Sequence, residues 1–222
     1  MDLGLKDKVA LVAAASKGLG KAVAFELARE GAHVAICARG QSALLATAEE
    51  LRANTGVRVL ALSADMASTV DIQRLAEAVQ AEFGRVDILV NNSGGPRAGV
   101  FTDMADQDWL DALELNLMSA IRLTQAVLPG MRQRRWGRII NITSAGVKQP
   151  LPTLILSNTA RVGVVAMAKT LAGQVAAEGI TVNTVCPSYL WTDRVQSLAE
   201  TTAAREGRTV EVVISGWEAA IP

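Results

Sequence analysis

The sequence contains very few of the side chains that most often move protons near neutral pH. Its 222 residues include one tyrosine and one histidine, and aromatic residues make up only 4% of the chain. Both types are common general acids and bases. If the protein is an enzyme, few of its residues can do that work, and its core must be built from Ala, Val, Leu and Ile.

Excess charge, long apolar runs and cysteine are also scarce, and each shortage argues against a class of protein. The 22 basic residues balance 22 acidic ones, whereas nucleic-acid binders usually carry a basic excess. No run approaches the roughly 18 apolar residues of a membrane span, and the start of the chain carries charges where a signal peptide is apolar. Cys37 and Cys186 lack the spacing of a zinc or redox site. We predict a cytoplasmic protein with no metal site.

The order of apolar segments predicts the fold. Short β-type runs at 8–13, 32–38, 57–63, 86–91, 138–143 and 180–186 alternate with helix-type stretches at 19–30, 41–54, 68–83, 107–134 and 158–178. Several of the runs are continuously apolar, which is typical of strands covered on both faces. The alternation predicts an α/β fold, a doubly wound parallel sheet of the Rossmann type with helices on both faces. The length favours a single domain over residues 1–222.

Two of the predicted helices, 107–134 and 158–178, are apolar on more than one face. A helix that only covers a sheet needs one apolar stripe. We therefore expect both helices to pack across a subunit interface in a homodimer or homotetramer. The alternative is that other parts of the chain, such as residues 189–222, cover them.

A glycine-containing turn lies between the first predicted strand and the first predicted helix. Its residues are Ser16, Lys17, Gly18, Leu19 and Gly20. At this position a turn brings backbone N–H groups close to a phosphate at a helix N-terminus. The turn therefore indicates a dinucleotide site.

The residue after the second predicted strand indicates which dinucleotide is bound. An acidic residue there would bind the ribose 2′-hydroxyl of NAD, whereas an arginine suits the 2′-phosphate of NADP. The sequence has Arg39 at this position, and Lys17 could reach the same phosphate. Both could instead be solvated surface cations. The charges favour NADP over NAD.

At this point the chain resembles the short-chain dehydrogenase/reductase family, over residues 5–222. The matching segments, in chain order, are Gly18 and Gly20 of the glycine motif, Asp65 after strand 3, Asn91-Asn92-Ser93-Gly94 after strand 4, Asn116, the strand 137–143 that ends at Ser144, and Asn183 to Pro187 followed by Thr192. The resemblance implies an NAD(P)-dependent oxidoreductase acting on a small carbonyl or alcohol substrate. It implies a cofactor site formed by Ser16, Lys17, Gly18, Leu19, Gly20, Arg39, Asp65, Met66, Asn92, Ser93, Gly94, Pro187 and Thr192.

The chain departs from the family pattern where the chemistry takes place. The family has a tyrosine 13 residues after the active-site serine and a lysine four residues later, but these positions are Ser157 and Arg161 here. The resemblance implies catalytic roles for Asn116, Ser144, Ser157 and Arg161. Smaller departures are Ala13-Ala14 in place of Thr-Gly in the glycine motif, and Ser188 in place of glycine after Pro187. Since alanine tolerates positive φ poorly, we expect the turn to differ locally.

Three interpretations of the altered site remain open. In the first, Ser144 and Ser157 bind the carbonyl oxygen, Arg161 supplies positive charge, and water relayed through Asn116 supplies the proton. In the second, Tyr189 donates the proton. In the third, the protein binds NADP without redox chemistry and acts through its oligomer.

The segment 188–216 is expected to cover the substrate. Tyr189 and Trp191 from this segment, together with Leu151, predict an apolar substrate pocket. Family chains usually continue with another helix and a seventh strand. We therefore expect strand 6 to lie at the margin of the sheet, as if the C-terminal edge strand were missing.

Overall fold

The computed structural model describes residues 1–219. Its strands are β1 (Val9–Val12), β2 (His33–Ala38), β3 (Val59–Ser63), β4 (Ile88–Asn91), β5 (Gly137–Ile142) and β6 (Ile180–Val185). Its helices are α1 (Gly18–Arg29), α2 (Gln41–Thr55), α3 (Thr69–Phe83), α4 (Asp106–Leu113), α5 (Ser119–Arg134), α6 (Ile155–Val175), α7 (Asp193–Glu206) and α8 (Val210–Ala219). The predicted strands and helices up to β6 are all present. Residues 220–222 of the predicted domain lie outside the described part.

The six strands form one parallel sheet in the order β3-β2-β1-β4-β5-β6. The doubly wound fold is therefore confirmed. The strand order reverses between β1 and β4, which pair directly from Ala10 opposite Ile88 to Val12 opposite Val90. In sheets of this kind a ligand binds beyond the carboxyl ends of the strands at the reversal point. The residues that follow β1 and β4 are therefore the first candidates for a binding site.

Each face of the sheet carries its own apolar core. On one face Leu11, Leu89 and Ile139 pack with side chains of α3, α5 and α6, including Leu75 and Leu123. The other face packs against α1 and α2, and its buried residues include Val12, Ile36, Ile88, Ala24 and Leu44. Alternate side chains of a strand point to opposite faces, so strands buried on both faces must be apolar throughout. This requirement explains the continuous apolar runs of the sequence.

Strand β6 is the outermost strand on its side of the sheet. Within residues 1–219 it pairs only with β5, from Gly137 opposite Ile180 to Ile142 opposite Val185. Over the first four residues of the strand the side chains alternate between buried and exposed, and the last residue, Val185, is 51% exposed. The predicted position of strand 6 at the sheet margin is thus observed.

The two predicted apolar helices differ from the prediction in their internal geometry and their ends. Predicted helix 107–134 is α4 and α5, joined without a break by a π-helical turn at Glu114–Met118. Such turns occur frequently at functional sites, and this one contains Asn116. Predicted helix 158–178 begins earlier, at Ile155, and its last residues form the 3₁₀ turn Ala176–Glu178.

The chain divides into two compact units, Met1–Pro187 and Ser188–Pro222. The first contains the sheet and α1 to α6. In the second, α7 and α8 share a small core of Ala199, Ala203 and Val213, with Trp217 packed against it. Sequence reasoning assigned no helix to this segment. No helix among residues 1–219 is long and apolar enough to cross a membrane.

Candidate active site

The turn after β1 has the backbone conformation that a phosphate-binding loop needs. Gly18 has a φ of +57°, and Gly20 lies directly against the preceding turn. A Cβ atom on Gly20 would come within 2.3 Å of the carbonyl oxygen of Ala14 and 2.8 Å of Nδ2 of Asn92. Only a residue without a side chain fits there, so helix α1 can begin directly against the turn.

Ala14 adopts the left-handed conformation that the family's glycine would adopt more easily. Its φ is +49°, so the substitution leaves the positive φ in place and strains the residue. Asn92 holds the turn by donating from Nδ2 to the carbonyl oxygens of Ala13 and Ala14, both at 3.2 Å. The buried Thr47 of α2 donates from Oγ1 to the carbonyl oxygen of Ser16 at 2.9 Å. Sequence reasoning missed this role of Thr47.

Lys17 and Arg39 follow neighbouring strands, and both side chains are exposed. They therefore lie at the same edge of the sheet. Asp65 follows β3 and accepts from the backbone N–H of Ala67 at 3.0 Å, while Asp71 accepts from the N–H of Asp65 at 2.8 Å. Met66 is buried. The edge thus offers two cations and an ordered carboxylate in the region where the resemblance places the adenosine half of the cofactor.

A ladder of buried polar side chains joins β4 to β5 and α5. Asn91 donates from Nδ2 to Oδ1 of Asn141 at 2.9 Å and to Oγ1 of Thr124 at 3.1 Å. Asn91 and Asn141 are paired in the sheet register, and all three side chains are at most 4% exposed. Sequence reasoning gave none of them a role. An asparagine inside an otherwise apolar strand, as in ILVN and RIINI, is a signal that could have found them.

Asn116 connects the π turn to the loop after β4. Its Nδ2 donates to Oγ of Ser93 at 2.6 Å and to the carbonyl oxygen of Gly94 at 2.8 Å. Its Oδ1 is buried, as is Oδ1 of Asn91, and neither atom has a hydrogen-bond partner. Both residues line a cavity of about 10 Å³, which is close to the space that one water molecule requires.

Arg161 lies at the centre of the polar cluster. Its Nε donates to Oγ of Ser157 at 3.2 Å, and its Nη1 donates to the carbonyl oxygen of Ile142 at 3.0 Å. Nη2 lies 3.5 Å from the carbonyl oxygen of Gly94, which also accepts from Asn116. The side chain is 9% exposed and lines the same small cavity. The structure therefore places a buried cation between the carboxyl ends of β4 and β5.

Ser144 lies in the turn that follows β5. Its Oγ accepts from the backbone N–H of Gly146 at 3.1 Å, so its own proton can be donated to a ligand. The N–H of Ala145 donates to the carbonyl oxygen of Pro187 at 2.7 Å, which joins this turn to the end of β6.

Asn158 of α6 holds the loop that contains Leu151. It donates from Nδ2 to the carbonyl oxygen of Leu151 at 2.8 Å. Its Oδ1 would come within 2.7 Å of a Cβ atom on Gly146, so it lies beside the Ser144 turn. Sequence reasoning missed this residue, which directly follows Ser157.

The remaining predicted residues belong to the second unit. Tyr189 stacks on Trp217 with ring centroids 4.5 Å apart, and burial raises the pKa of its phenol. Thr192 caps α7 by accepting from the N–H of Val195 at 3.4 Å. Trp191 is 66% exposed and lines, with Thr192 and Gln196, a surface depression of about 470 Å³.

The structure thus brings most of the predicted catalytic residues into one cluster. Arg161 donates to Ser157, and it shares the carbonyl oxygen of Gly94 with Asn116. The turn that contains Ser144 lies beside Asn158, which is the neighbour of Ser157 in α6. The cluster contains amides, hydroxyls and one guanidinium. Within residues 1–219 no group of three His, Cys, Asp or Glu side chains could hold a metal ion.

A glycine cradle at the strand-order reversal, with polar residues at the carboxyl edge, defines a dinucleotide-binding protein of the doubly wound class. The chain matches the model of the short chain dehydrogenase family over residues 8–203.

Among curated relatives, the 3-oxoacyl-(acyl-carrier-protein) reductase of Escherichia coli is 38% identical over 198 residues, which cover 89% of this chain and 80% of the relative. A solved structure of an actinorhodin polyketide ketoreductase variant with NADPH is 38% identical with a TM-score of 0.92, covering 97% of this chain and 83% of that one. NAD⁺-bound xylitol dehydrogenase is 26% identical, also with a TM-score of 0.92, covering 98% and 86%.

The protein belongs to the short-chain dehydrogenase family, and it is an NAD(P)-dependent oxidoreductase of that family. The residues that would hold the dinucleotide fit it. Gly20 packs too closely on the turn for a side chain, and the turn ends at the first residues of α1, whose N–H groups have no intrahelical partner and suit a phosphate.

Proposed function

We propose that the protein is an NADP-dependent oxidoreductase that transfers hydride between the nicotinamide and a carbonyl or alcohol substrate, with an unusual source of the proton. The observation that carries the proposal is the position of the Arg161 guanidinium, 3.0 Å from the carbonyl oxygen of Ile142 and within hydrogen-bond distance of Ser157. A fixed cation at this point stabilises negative charge on a substrate oxygen. The bound nicotinamide supplies the hydride.

In this mechanism Ser144 and Ser157 hold the carbonyl oxygen. Oγ of Ser144 accepts from the N–H of Gly146, so its hydroxyl proton can be donated to the substrate oxygen. Oγ of Ser157 accepts from Nε of Arg161, which polarises the Ser157 hydroxyl. The proton comes from water near Asn116, whose buried Oδ1 has no protein partner and lines the small cavity beside Arg161. Asn116 therefore positions water, and Arg161 holds the charge that develops on the oxygen.

Tyr189 is the alternative proton donor, but its surroundings do not favour that role. A general acid works best when its pKa lies near the working pH, whereas burial raises the pKa of this phenol. Its ring is also engaged in the stack with Trp217. Loss of turnover in Tyr189→Phe, with NADPH binding unchanged, would instead favour Tyr189 as the donor.

The preference for NADP is supported by Lys17 and Arg39, which lie exposed at the same edge of the sheet. The solved ketoreductase relative was crystallised with NADPH, although xylitol dehydrogenase was bound to NAD⁺. A guanidinium pairs well with a phosphate. Most of the other predicted cofactor residues follow β1, β3 and β4 at this edge: Ser16 to Gly20, Asp65 with Met66, and Asn92 to Gly94. Pro187 and Thr192, also predicted, follow β6 in the chain.

The test is a titration of the protein with NADPH and with NADH, in which binding is measured by energy transfer from tryptophan to the nicotinamide. Arg39→Asp should weaken NADPH binding much more than NADH binding. The control is Arg29→Asp, since Arg29 is an exposed cation at the far end of α1, paired with Glu26. It should change neither affinity by more than about twofold. Equal effects of Arg39→Asp on both dinucleotides would remove the argument for the 2′-phosphate.

A second candidate function is an NADP-binding protein without redox activity. The observation that favours it is the replacement of the family's tyrosine and lysine by Ser157 and Arg161, which removes the usual proton donor. NADPH binding without oxidation by any of a broad panel of carbonyl compounds would support it. Failure to bind either nucleotide would contradict both functions.

We also propose that the protein forms a homodimer or homotetramer through α4, α5 and α6. Leu110 of α4 is 55% exposed and Val162 of α6 is 47% exposed. Burying such residues against a second copy would remove apolar surface from water. Light scattering should give a dimer or larger, and Val162→Asp should shift it towards monomer. A cytoplasmic location, a substrate-covering role for residues 188–216, and substrate contacts by Tyr189, Trp191 and Leu151 remain predictions.

A further inference from the structure

The hydroxyl and guanidinium groups of the site can stabilise an anion, but they are poor proton donors. Arg161 Nε donates to Oγ of Ser157 at 3.2 Å, and a guanidinium stays protonated at any working pH. An aliphatic hydroxyl is about as weak an acid as water, whose pKa is about 15.7. The pair therefore suits a reaction whose anionic product need not be protonated at once.

The side chains better suited to donate a proton already have ring or hydrogen-bond partners. The sequence has one tyrosine and one histidine. Tyr189 stacks on Trp217. His33 begins β2, at the amino edge of the sheet and thus at the opposite edge from Ser144, and its Nδ1 accepts from the N–H of Arg58 at 3.3 Å. The mechanism proposed above therefore takes its proton from water.

This limitation affects two kinds of carbonyl substrate differently. Hydride added to the carbonyl carbon of an isolated ketone gives an alkoxide, a base as strong as hydroxide. Hydride added to the β carbon of a conjugated enone gives an enolate, whose charge is delocalised as in a phenolate. A phenol ionises near pKa 10, about 6 pKa units below water. The enolate can therefore persist beside a fixed cation until water protonates it.

We propose that this site also reduces conjugated enones at the β carbon, with Arg161 and Ser144 stabilising the enolate oxygen. This activity rests on the proposed oxidoreductase function and adds a substrate class to it. The hydride forms a C–H bond at the β carbon, the π pair of the C=C bond forms a new double bond to the carbonyl carbon, and the carbonyl π pair moves to oxygen. Water then protonates the α carbon. Enone, NADPH and one proton give a saturated ketone and NADP⁺.

Two groups of the site offer the interactions that the enolate oxygen requires. Oγ of Ser144 accepts from the N–H of Gly146, which leaves its proton available for the enolate oxygen. Arg161 is held by the carbonyl oxygens of Ile142 and Gly94, so its charge is fixed before the reaction begins. A cation held in advance in a buried site stabilises developing charge without reorganisation.

The first experiment compares matched pairs of substrates with the full-length protein and NADPH. The pairs are cyclohex-2-enone with cyclohexanone, and 4-phenylbut-3-en-2-one with 4-phenylbutan-2-one. Because a general acid contributes roughly 10²–10⁴-fold, we expect kcat/KM for each enone to exceed that of its saturated partner by about 100-fold or more. With deuterium at C4 of NADPH, the label should appear at the β carbon of the saturated ketone.

Each other result has a definite meaning. Equal kcat/KM values within a pair, or label at the carbinol carbon of an allylic alcohol, overturn the enone activity and leave the oxidoreductase function standing. NADPH binding without oxidation by either member of both pairs overturns the enone activity, and the broad panel of carbonyl compounds then decides the oxidoreductase function.

A binding experiment tests the oxyanion role without turnover. In the presence of NADP⁺, 4-nitrophenol serves as an enolate analogue whose ionisation is read from its absorbance. Its apparent pKa should fall on binding, and Arg161→Met should remove the shift. Lys169→Met is the matched control, since Lys169 is an exposed cation of the same helix, and it should keep the shift. If wild-type protein produces no shift, the assignment of Arg161 is wrong, whether or not the Arg161 variant folds.

Discussion

Replacing Gly20 by alanine tests whether the close packing of the cofactor turn is required. A Cβ atom there would lie 2.3 Å from the carbonyl oxygen of Ala14 and 2.8 Å from Nδ2 of Asn92. The first contact is with backbone, so the turn itself must move. Overpacking of this kind costs about 1–3 kcal/mol, whereas alanine inside a helix gains about 0.5–1 kcal/mol over glycine. The net loss is about 1–2 kcal/mol.

The assay is thermal unfolding together with NADPH titration. For a chain of this length each 1 kcal/mol shifts Tm by about 2–4 °C, so Gly20→Ala should lower Tm by roughly 2–8 °C. Displacing the N–H groups of the turn should also weaken NADPH binding by about tenfold, which corresponds to about 1.4 kcal/mol. Gly216→Ala is the control, because Gly216 lies inside α8 with nothing within 4 Å of a Cβ atom. It should raise Tm slightly. If both variants behave alike, the turn tolerates a side chain and the reasoning fails.

Three further predictions concern stability and ionisation. Asp87→Ala should cost about 1–3 kcal/mol in urea unfolding, because it leaves the buried N–H of Val9 without its acceptor, whereas Glu26→Ala, at an exposed pair, should cost under about 1 kcal/mol. The hydrogen bond from Arg97 lowers the pKa of Asp108 to about 2. The pair therefore stabilises the fold fully above the pKa of Asp108 in the unfolded chain, and this contribution is lost as the pH falls through about 2. Arg97→Ala should raise the pKa of Asp108, as measured by NMR. Ala14→Gly should raise the free energy of unfolding by about 0.5–1 kcal/mol, because glycine adopts the positive φ of this position without strain. A lower Tm for this variant would contradict the inference that Ala14 is strained.

Much of the fold could be predicted because its signals are local. A continuous apolar run such as VALV indicates a strand buried on both faces. A glycine turn between a strand and a helix marks the phosphate site without any knowledge of tertiary contacts. The bounds were less accurate. Helix 158–178 in fact begins at Ile155, and α7 and α8 were not anticipated, because their apolar contacts lie mostly with each other.

The candidate site was only partly visible in the sequence. The residues that match a family motif, such as Asn116 and Ser144, were named from their order along the chain. Asn158, Thr47 and the ladder through Asn91 were missed, because their hydrogen bonds join residues 7 to 50 positions apart. A motif identifies residue types and spacing, and it carries no information about which side chains meet across strands.

The sequence by itself determined the class of fold, the location of the dinucleotide turn and the loss of the tyrosine and lysine pair. These follow from local backbone preferences and from residue identity, which do not depend on the rest of the molecule. Only the tertiary structure decided that Ala14 keeps the left-handed turn and that Arg161 is held between β4 and β5 by backbone carbonyl oxygens. Both outcomes depend on groups that parallel strand pairing brings together, and that pairing joins distant parts of the chain.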